Sequence, residues 1–217
     1  EQVPMPGGEL AIRQPWRMAA SHLHNAFGPR YRTLPLPCVA RHGEVLDDID
    51  AMLAGRINSP PTSSCGRLFD AVSAMLDLCQ SATFEGEPAV RLEMAADDSP
   101  AAAYPFELPG DRPIVLGTRA VIQGVIDDFL RGVAAGIIAR RFHQTLIEAF
   151  SQIATRLRDE WKTNTVVLGG GVFLNGIFLS GLTETLLGLG FEVFWPGEVP
   201  PGDGGISLGQ VAMAIAY

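Results

Sequence analysis

The sequence predicts an α/β protein with a helical amino-terminal half, and three observations carry that prediction. Apolar residues recur at helical spacing through most of the first 160 positions. Only two short runs read as buried strands, TVVL at residues 165–168 and FEVFW at residues 191–195, and both lie in the last quarter, each followed by a helical segment. The first strand enters Gly169-Gly170-Gly171, and the second enters another glycine-rich turn, VPPGDGGISLGQ from Val199.

In chain order, residues 11–27 place Ile12, Trp16, Ala19, Ala20 and Leu23 on one helical face and stop at Gly28-Pro29. A shorter helix over 45–54 closes at Gly55, before Pro60-Pro61. Ser63 and Ser64 are capping candidates for a helix over 66–79, with Leu68, Val72, Met75 and Leu76 on one face. A helix follows at 88–96. Residues 97–113 mix Pro, Gly and Asp around a short strand candidate, AAYPFEL, and read as a loop or hairpin. The expected division is therefore a mainly helical part, residues 1–113, and a second part, residues 114–217. That second part opens with helices over 120–130 and 137–161. It ends in strand 166–168, helix 174–189 capped by Gly190, strand 191–195 and helix 205–216, a β-α-β-α unit whose strands should be parallel.

Composition excludes several classes. A chain of 217 residues is long enough to bury a substantial core. Its net charge of −8 argues against a general nucleic-acid or membrane-surface binder, which needs a basic face. The three cysteines, Cys38, Cys65 and Cys79, form no CxxC pair, so neither a disulfide framework nor a cysteine zinc site is expected, and a reducing cytoplasm fits. No secretory signal and no apolar run of about 20 residues is visible.

A strand that runs into three glycines and then a helix lets backbone N–H groups approach an anion closely, as phosphate-cradling turns do. Two such turns beside the isolated carboxylate Asp203 point to a nucleotide or another anionic ligand at the carboxyl ends of the strands. Taken alone, the glycines could serve tight packing, Asp203 a turn, and Asn175 a helix N-cap.

The strings GRLFDAVSAML, FEGEPAVRLE, GIIARRFHQTL, LGGGVFLNGIFL and GFEVFWPGEVPPGDGGISLGQ resemble, in order, the carboxy-terminal part of the HypF family of hydrogenase-maturation carbamoyltransferases, and MPGGELAIRQPWRMAASHL is similar to the segment just upstream. That resemblance implies an actin-like ATPase (ribonuclease H-like) lobe, of the variant shared with tRNA threonylcarbamoyl transferases. It implies ATP or carbamoyl adenylate (AMP) and a divalent metal as ligands. The implied reaction passes a carbamoyl group to the carboxy-terminal cysteine of a HypE-like acceptor for the cyanide ligand of the nickel-iron hydrogenase.

By the same resemblance, Asp70 faces the ribose hydroxyls, Gly86 and Glu87 line the nucleotide pocket, and Gly169, Gly170, Gly171 and Asn175 lie against the nucleotide. Asp203 is the implied metal ligand. Gly202 stands where the family usually has Asn, so any contact of that side chain is lost. The histidines His22, His24, His42 and His143 do not make the family's HxxxH metal motif. The chain thus reads as a fragment or a split subunit, with the opposing metal ligands, the first lobe and the adenylate-forming domains expected outside it. Two other functions remain open, an O-carbamoyltransferase acting on a small-molecule hydroxyl and a non-catalytic interaction fragment.

Several residues are expected to be structural: Cys65 as a packed thiol, His143 as a core residue, His42 as a solvated one, and Trp16, Trp161 and Trp195 as core or interface aromatics.

Overall fold

The computed structural model describes residues 1–216. Its contacts divide into two compact units, Glu1–Thr145 and Leu146–Tyr217, so the boundary falls inside a helix and the loop around residues 97–113 lies within the first unit.

The first unit opens with strand β1 (Val3–Pro4), a one-turn helix α1 (Leu10–Arg13) and α2 (Pro15–Phe27). The single helix expected over 11–27 is broken at Gln14 because the following Pro15 disfavours helical backbone there and starts α2 as its first residue. Short helices α3 (Pro37–Arg41) and α4 (Leu46–Gly55) lead to β2 (Pro61–Thr62), which pairs antiparallel with β1. Then come α5 (Cys65–Met75), α6 (Glu87–Ala95), α7 (Arg119–Leu130) and α8 (Ala135–Trp161), the last running on into the second unit.

Helix α2 is the centre of this unit and packs against α5 and α7. Its Met18, Ala19 and Leu23 are fully buried, as are Phe69, Val72 and Met75 of α5 and Ile122, Val125 and Ile126 of α7. Each large apolar side chain removed from water in this way stabilises the unit by about 1.5–3 kcal/mol. The AAYPFEL segment forms no strand beyond one bridge, Glu107 to Gly117. Side chains hold it instead: Tyr104 donates its hydroxyl to buried Asp128 (2.9 Å), Asp128 also pairs with Arg131 and Arg141, and Thr145 Oγ1 accepts from the Tyr104 backbone N–H.

The second unit contains the carboxy-terminal part of α8, then β3 (Thr165–Val167), α9 (Gly176–Gly188), β4 (Glu192–Phe194) and α10 (Ile206–Ala216). Strands β3 and β4 are parallel, with Val166 opposite Val193 and Val167 opposite Phe194. Apolar residues of α9 (Phe178, Leu182, Leu186) are buried in this unit, where Phe178 meets Phe150 edge-on and Phe173 face-on. Of the tryptophans expected to be core or interface aromatics, Trp16 is buried, whereas Trp161 and Trp195 are exposed and so are not core residues of this chain.

Candidate nucleotide site

The glycine turn begins where β3 ends. Leu168 is buried and extends the ladder by donating its N–H to the Phe194 carbonyl at 2.8 Å, after which Gly169, Gly170 and Gly171 come to the surface. Gly170 has φ 109° and ψ 158°, a conformation essentially confined to glycine. In that conformation its N–H reaches the carbonyl of Pro201 at 2.6 Å. A Cβ at Gly202 would meet Gly171 Cα at 3.4 Å, so the two glycine-rich turns touch, both beyond the carboxyl ends of parallel strands. This is the edge at which open parallel sheets take their ligands.

Asn175 is the N-cap of α9: its Oδ1 accepts the backbone N–H of Phe178 at 2.8 Å, and the side chain is buried. The cap fixes the start of α9 directly after the glycine turn, and the helix's first N–H groups add a favourable field for an anion. Asp203 opens a single 3-10 turn, Asp203–Gly205, with its carboxylate exposed. Among the described residues, no three His, Cys, Asp or Glu side chains converge in a metal-binding group. One turn carboxylate does not hold a divalent ion by itself, since such ions take six or more oxygen ligands or four nitrogen and sulfur ones.

In the first unit, Ser64 caps α5 by accepting from the Arg67 N–H, which aims Asp70 on the next turn into the protein, where it is 1% exposed. Arg67 Nη1 lies 2.8 Å from Asp70 Oδ2, three residues apart on the helix. Neither Asp70 oxygen has a hydrogen-bond partner among the described residues, and the Arg67 contact lacks hydrogen-bond geometry. Burial pushes the Asp70 carboxyl up to about 6, with the Arg67 charge acting the other way. A buried carboxylate with two unused acceptors matches a ligand that offers two hydroxyls. Arg67, which the sequence reading passed over, was detectable as the cation three residues before that carboxylate.

Helices α5 and α6 pack together. Gly86 is the N-cap of α6 at φ 81°, and Glu87 follows as its first residue. Glu87 Oε2 accepts from both the backbone N–H and the hydroxyl of Thr83, and its Oε1 takes the Arg91 guanidinium. Those bonds hold its carboxyl down to about 2. The Glu87 side chain thus shapes the turn, leaving the backbone at Gly86 as the surface a ligand would meet.

His143 is fully buried, with Nδ1 2.8 Å from the Ala139 carbonyl, and desolvation pushes it down to about 4. His22 is buried while His24 lies edge-on to Tyr31, so the two diverge. His42, expected to be solvated, instead stacks on Trp16 with ring centres 4.0 Å apart, because the turn after α3 lays it over an indole face. Cys65 sits at a helix start, yet its surroundings push the thiol up to about 12, which makes it inert.

Comparison with known proteins places this arrangement. The family model for the second subdomain of the carbamoyltransferase Kae1-like domain matches residues 1–210. A carbamoyltransferase HypF homolog of Cupriavidus necator is 34% identical over 99% of this chain and 56% of its own length, and the probable carbamoyltransferase HypF of Methanocaldococcus jannaschii is 31% identical over 97% of this chain and 27% of its own. A crystal structure described as full-length HypF in the phosphate- and nucleotide-bound form is similar over 99% of this chain and 28% of that one, with 33% identity and a TM-score of 0.91. The fold is therefore of the Kae1-like α/β class, in agreement with the actin-like lobe expected from the resemblance. The chain belongs to the HypF carbamoyltransferase family. It spans a little over half of one curated relative and under a third of the others.

Proposed function

We propose that this chain is the part of a HypF-type carbamoyltransferase that holds the nucleotide end of carbamoyl adenylate during transfer to a protein thiol, in a cytoplasmic setting. The observation that carries the reading is the contact between the two glycine-rich turns at the carboxyl ends of β3 and β4. The nucleotide- and phosphate-bound state of the similar HypF structure supports it.

In this reading, backbone N–H groups of Gly169–Gly171 and the start of α9 face a phosphate, while within the first unit Asp70 is the acceptor for a pair of ribose hydroxyls and the Gly86 turn a surface beside it. Arg67 keeps Asp70 ionised at neutral pH against the cost of burial. Asp203 would supply one oxygen ligand to a divalent ion, and such an ion would polarise acyl and phosphate oxygens. The acceptor thiolate, from the carboxy-terminal cysteine of a HypE-like protein, attacks the carbamoyl carbon. The bond from that carbon to the phosphate oxygen breaks, and AMP leaves with the electron pair. The adenylate itself comes from an adenylate-forming domain of the kind that the HypF resemblance implies.

The test joins this chain to the remaining HypF domains and follows the carbamoylated acceptor cysteine by mass spectrometry. Asp70→Ala is expected to lower transfer at least a hundredfold, and an unchanged rate would overturn the assignment. By calorimetry the isolated chain should bind AMP no better than about millimolar, roughly 4 kcal/mol, because it supplies only part of the enclosing wall. Micromolar binding would contradict that incompleteness.

A further inference from the structure

One guanidinium, that of Arg91 on α6, ties together two segments of the first unit. Its Nε and Nη2 both donate to Glu87 Oε1, at 2.8 and 2.5 Å, and its Nη1 donates to the Leu78 carbonyl at 3.0 Å. Leu78 follows closely on α5, because its own N–H reaches back to the Ser73 carbonyl at 2.9 Å. The other Glu87 oxygen is taken by Thr83, which donates both its backbone N–H and its hydroxyl. Arg91 therefore links the end of α5, the helix that carries Asp70, to the turn from Thr83 to Gly86 that enters α6.

That turn has little else to fix it. Among the described residues, Ala82 is the one position from 79 to 86 whose N–H reaches a backbone carbonyl, that of Arg13. Gly86 has open space where a Cβ would stand, so packing does not hold the turn there either. The Glu87 side chain does, and it is buried. Without Arg91, Glu87 Oε1 becomes a buried charge with no partner, and turning it out to water releases Thr83. Asp70 belongs to the same neighbourhood: the Cys79 thiol is raised chiefly by burial, then by Glu87 and more weakly by Asp70, while Arg91 lowers it.

We infer that Arg91 is a positioning residue for the nucleoside: by joining Glu87 to the Leu78 carbonyl, it sets the place of the Gly86 turn relative to Asp70. The inference rests on the nucleotide reading above and adds to it a residue that touches no ligand. Charge and position are separable at this site. The planar guanidinium serves two acceptors in fixed directions, which a lysine ammonium, a single compact donor centre, does not span. A lysine at this position keeps a positive charge beside Glu87, and with it the stability, but gives up the bridge to Leu78.

The test uses the chain fused to the remaining HypF domains and reads melting temperature together with AMP affinity by calorimetry. Arg91→Met should lower both, with AMP bound roughly tenfold more weakly, what one misplaced hydrogen bond costs. Arg91→Lys should melt with wild type and still bind AMP roughly tenfold more weakly, because the charge is kept and the bridge is not. Wild-type affinity in Arg91→Lys would overturn the inference, since Arg91 would then be only a charge that stabilises Glu87. Affinity and melting that fall together in both variants would also overturn it, as the mark of a merely structural role. Asp70→Ala is measured beside them. Unchanged AMP binding in that variant would overturn the nucleotide site itself, whereas binding lost with Asp70→Ala and kept in both Arg91 variants would overturn this inference alone.

Discussion

Gly170 donates its backbone N–H to the carbonyl of Pro201, 2.6 Å away, and so ties the turn after β3 to the turn after β4. The bond depends on a backbone conformation that a side chain opposes, although the space around Gly170 is open. Gly170→Ala is therefore expected to cost about 1–3 kcal/mol through strain alone. Chemical denaturation monitored in residues 146–216 should report that loss, and nucleotide affinity of the fused protein should fall with it. An alanine variant of wild-type stability would mean that the turn has other conformations available.

Asp70 is buried at the expense of stability at neutral pH. Its carboxyl is raised to about 6 by burial, so the folded chain holds the proton more tightly than the unfolded chain does. The corresponding stability is present below the unfolded value, near pH 4, and is lost as pH rises through 6, amounting to roughly 3 kcal/mol. Asp70→Asn should consequently melt at a higher temperature than wild type at pH 7 and at nearly the same temperature at pH 4. The same variant should bind nucleotide more weakly in the fused protein. A destabilised Asn variant at pH 7 would show that the Arg67 pair outweighs desolvation.

Buried histidines act in the opposite sense. His143 and His22 are each pushed down to about 4 by desolvation, so the unfolded chain takes up their protons first. Stability should fall as pH drops from 6.5 toward 4, by roughly 3 kcal/mol per histidine at full protonation. His143→Gln should flatten that slope in urea titrations run between pH 7 and pH 4, whatever its fixed packing cost. An unchanged slope would place the acid sensitivity elsewhere.

Asp203 should separate function from folding. Its carboxylate is exposed in a surface turn, so Asp203→Ala should change stability by less than about 0.5 kcal/mol. In the fused protein the same change should lower bound divalent metal and reduce carbamoyl transfer at least a hundredfold. Elemental analysis and the acceptor-cysteine assay check both halves, and full metal content with full activity would remove Asp203 from the site.

Much of the fold was legible because its signals are local. The periodicity of residues 66–79 and 137–161 found α5 and α8 to within a few residues, and the two strand-to-glycine junctions found β3, β4 and their parallel pairing. Within the segment that reads as a loop or hairpin, AAYPFEL is a strand candidate by composition, but Tyr104 is drawn to Asp128, 24 residues away, and the segment follows that anchor. The burial of Asp70 and the stacking of His42 on Trp16 were equally invisible, since each depends on a partner surface brought in by folding.

The sequence by itself determined the helical first half, the β-α-β-α end, the glycine turns and, through the ordered motifs, the family. Backbone conformation and periodicity are properties of neighbouring residues, so they survive without the fold. Tertiary structure alone decided that Gly170 meets Pro201, that Asp70 sits buried beside Arg67 with two acceptors unused, and that Arg91 reaches the Leu78 carbonyl. Those outcomes depend on which surfaces remain to cover a given side chain after the chain has packed, and hydrophobic burial is set by that whole arrangement rather than by the residue's neighbours in sequence.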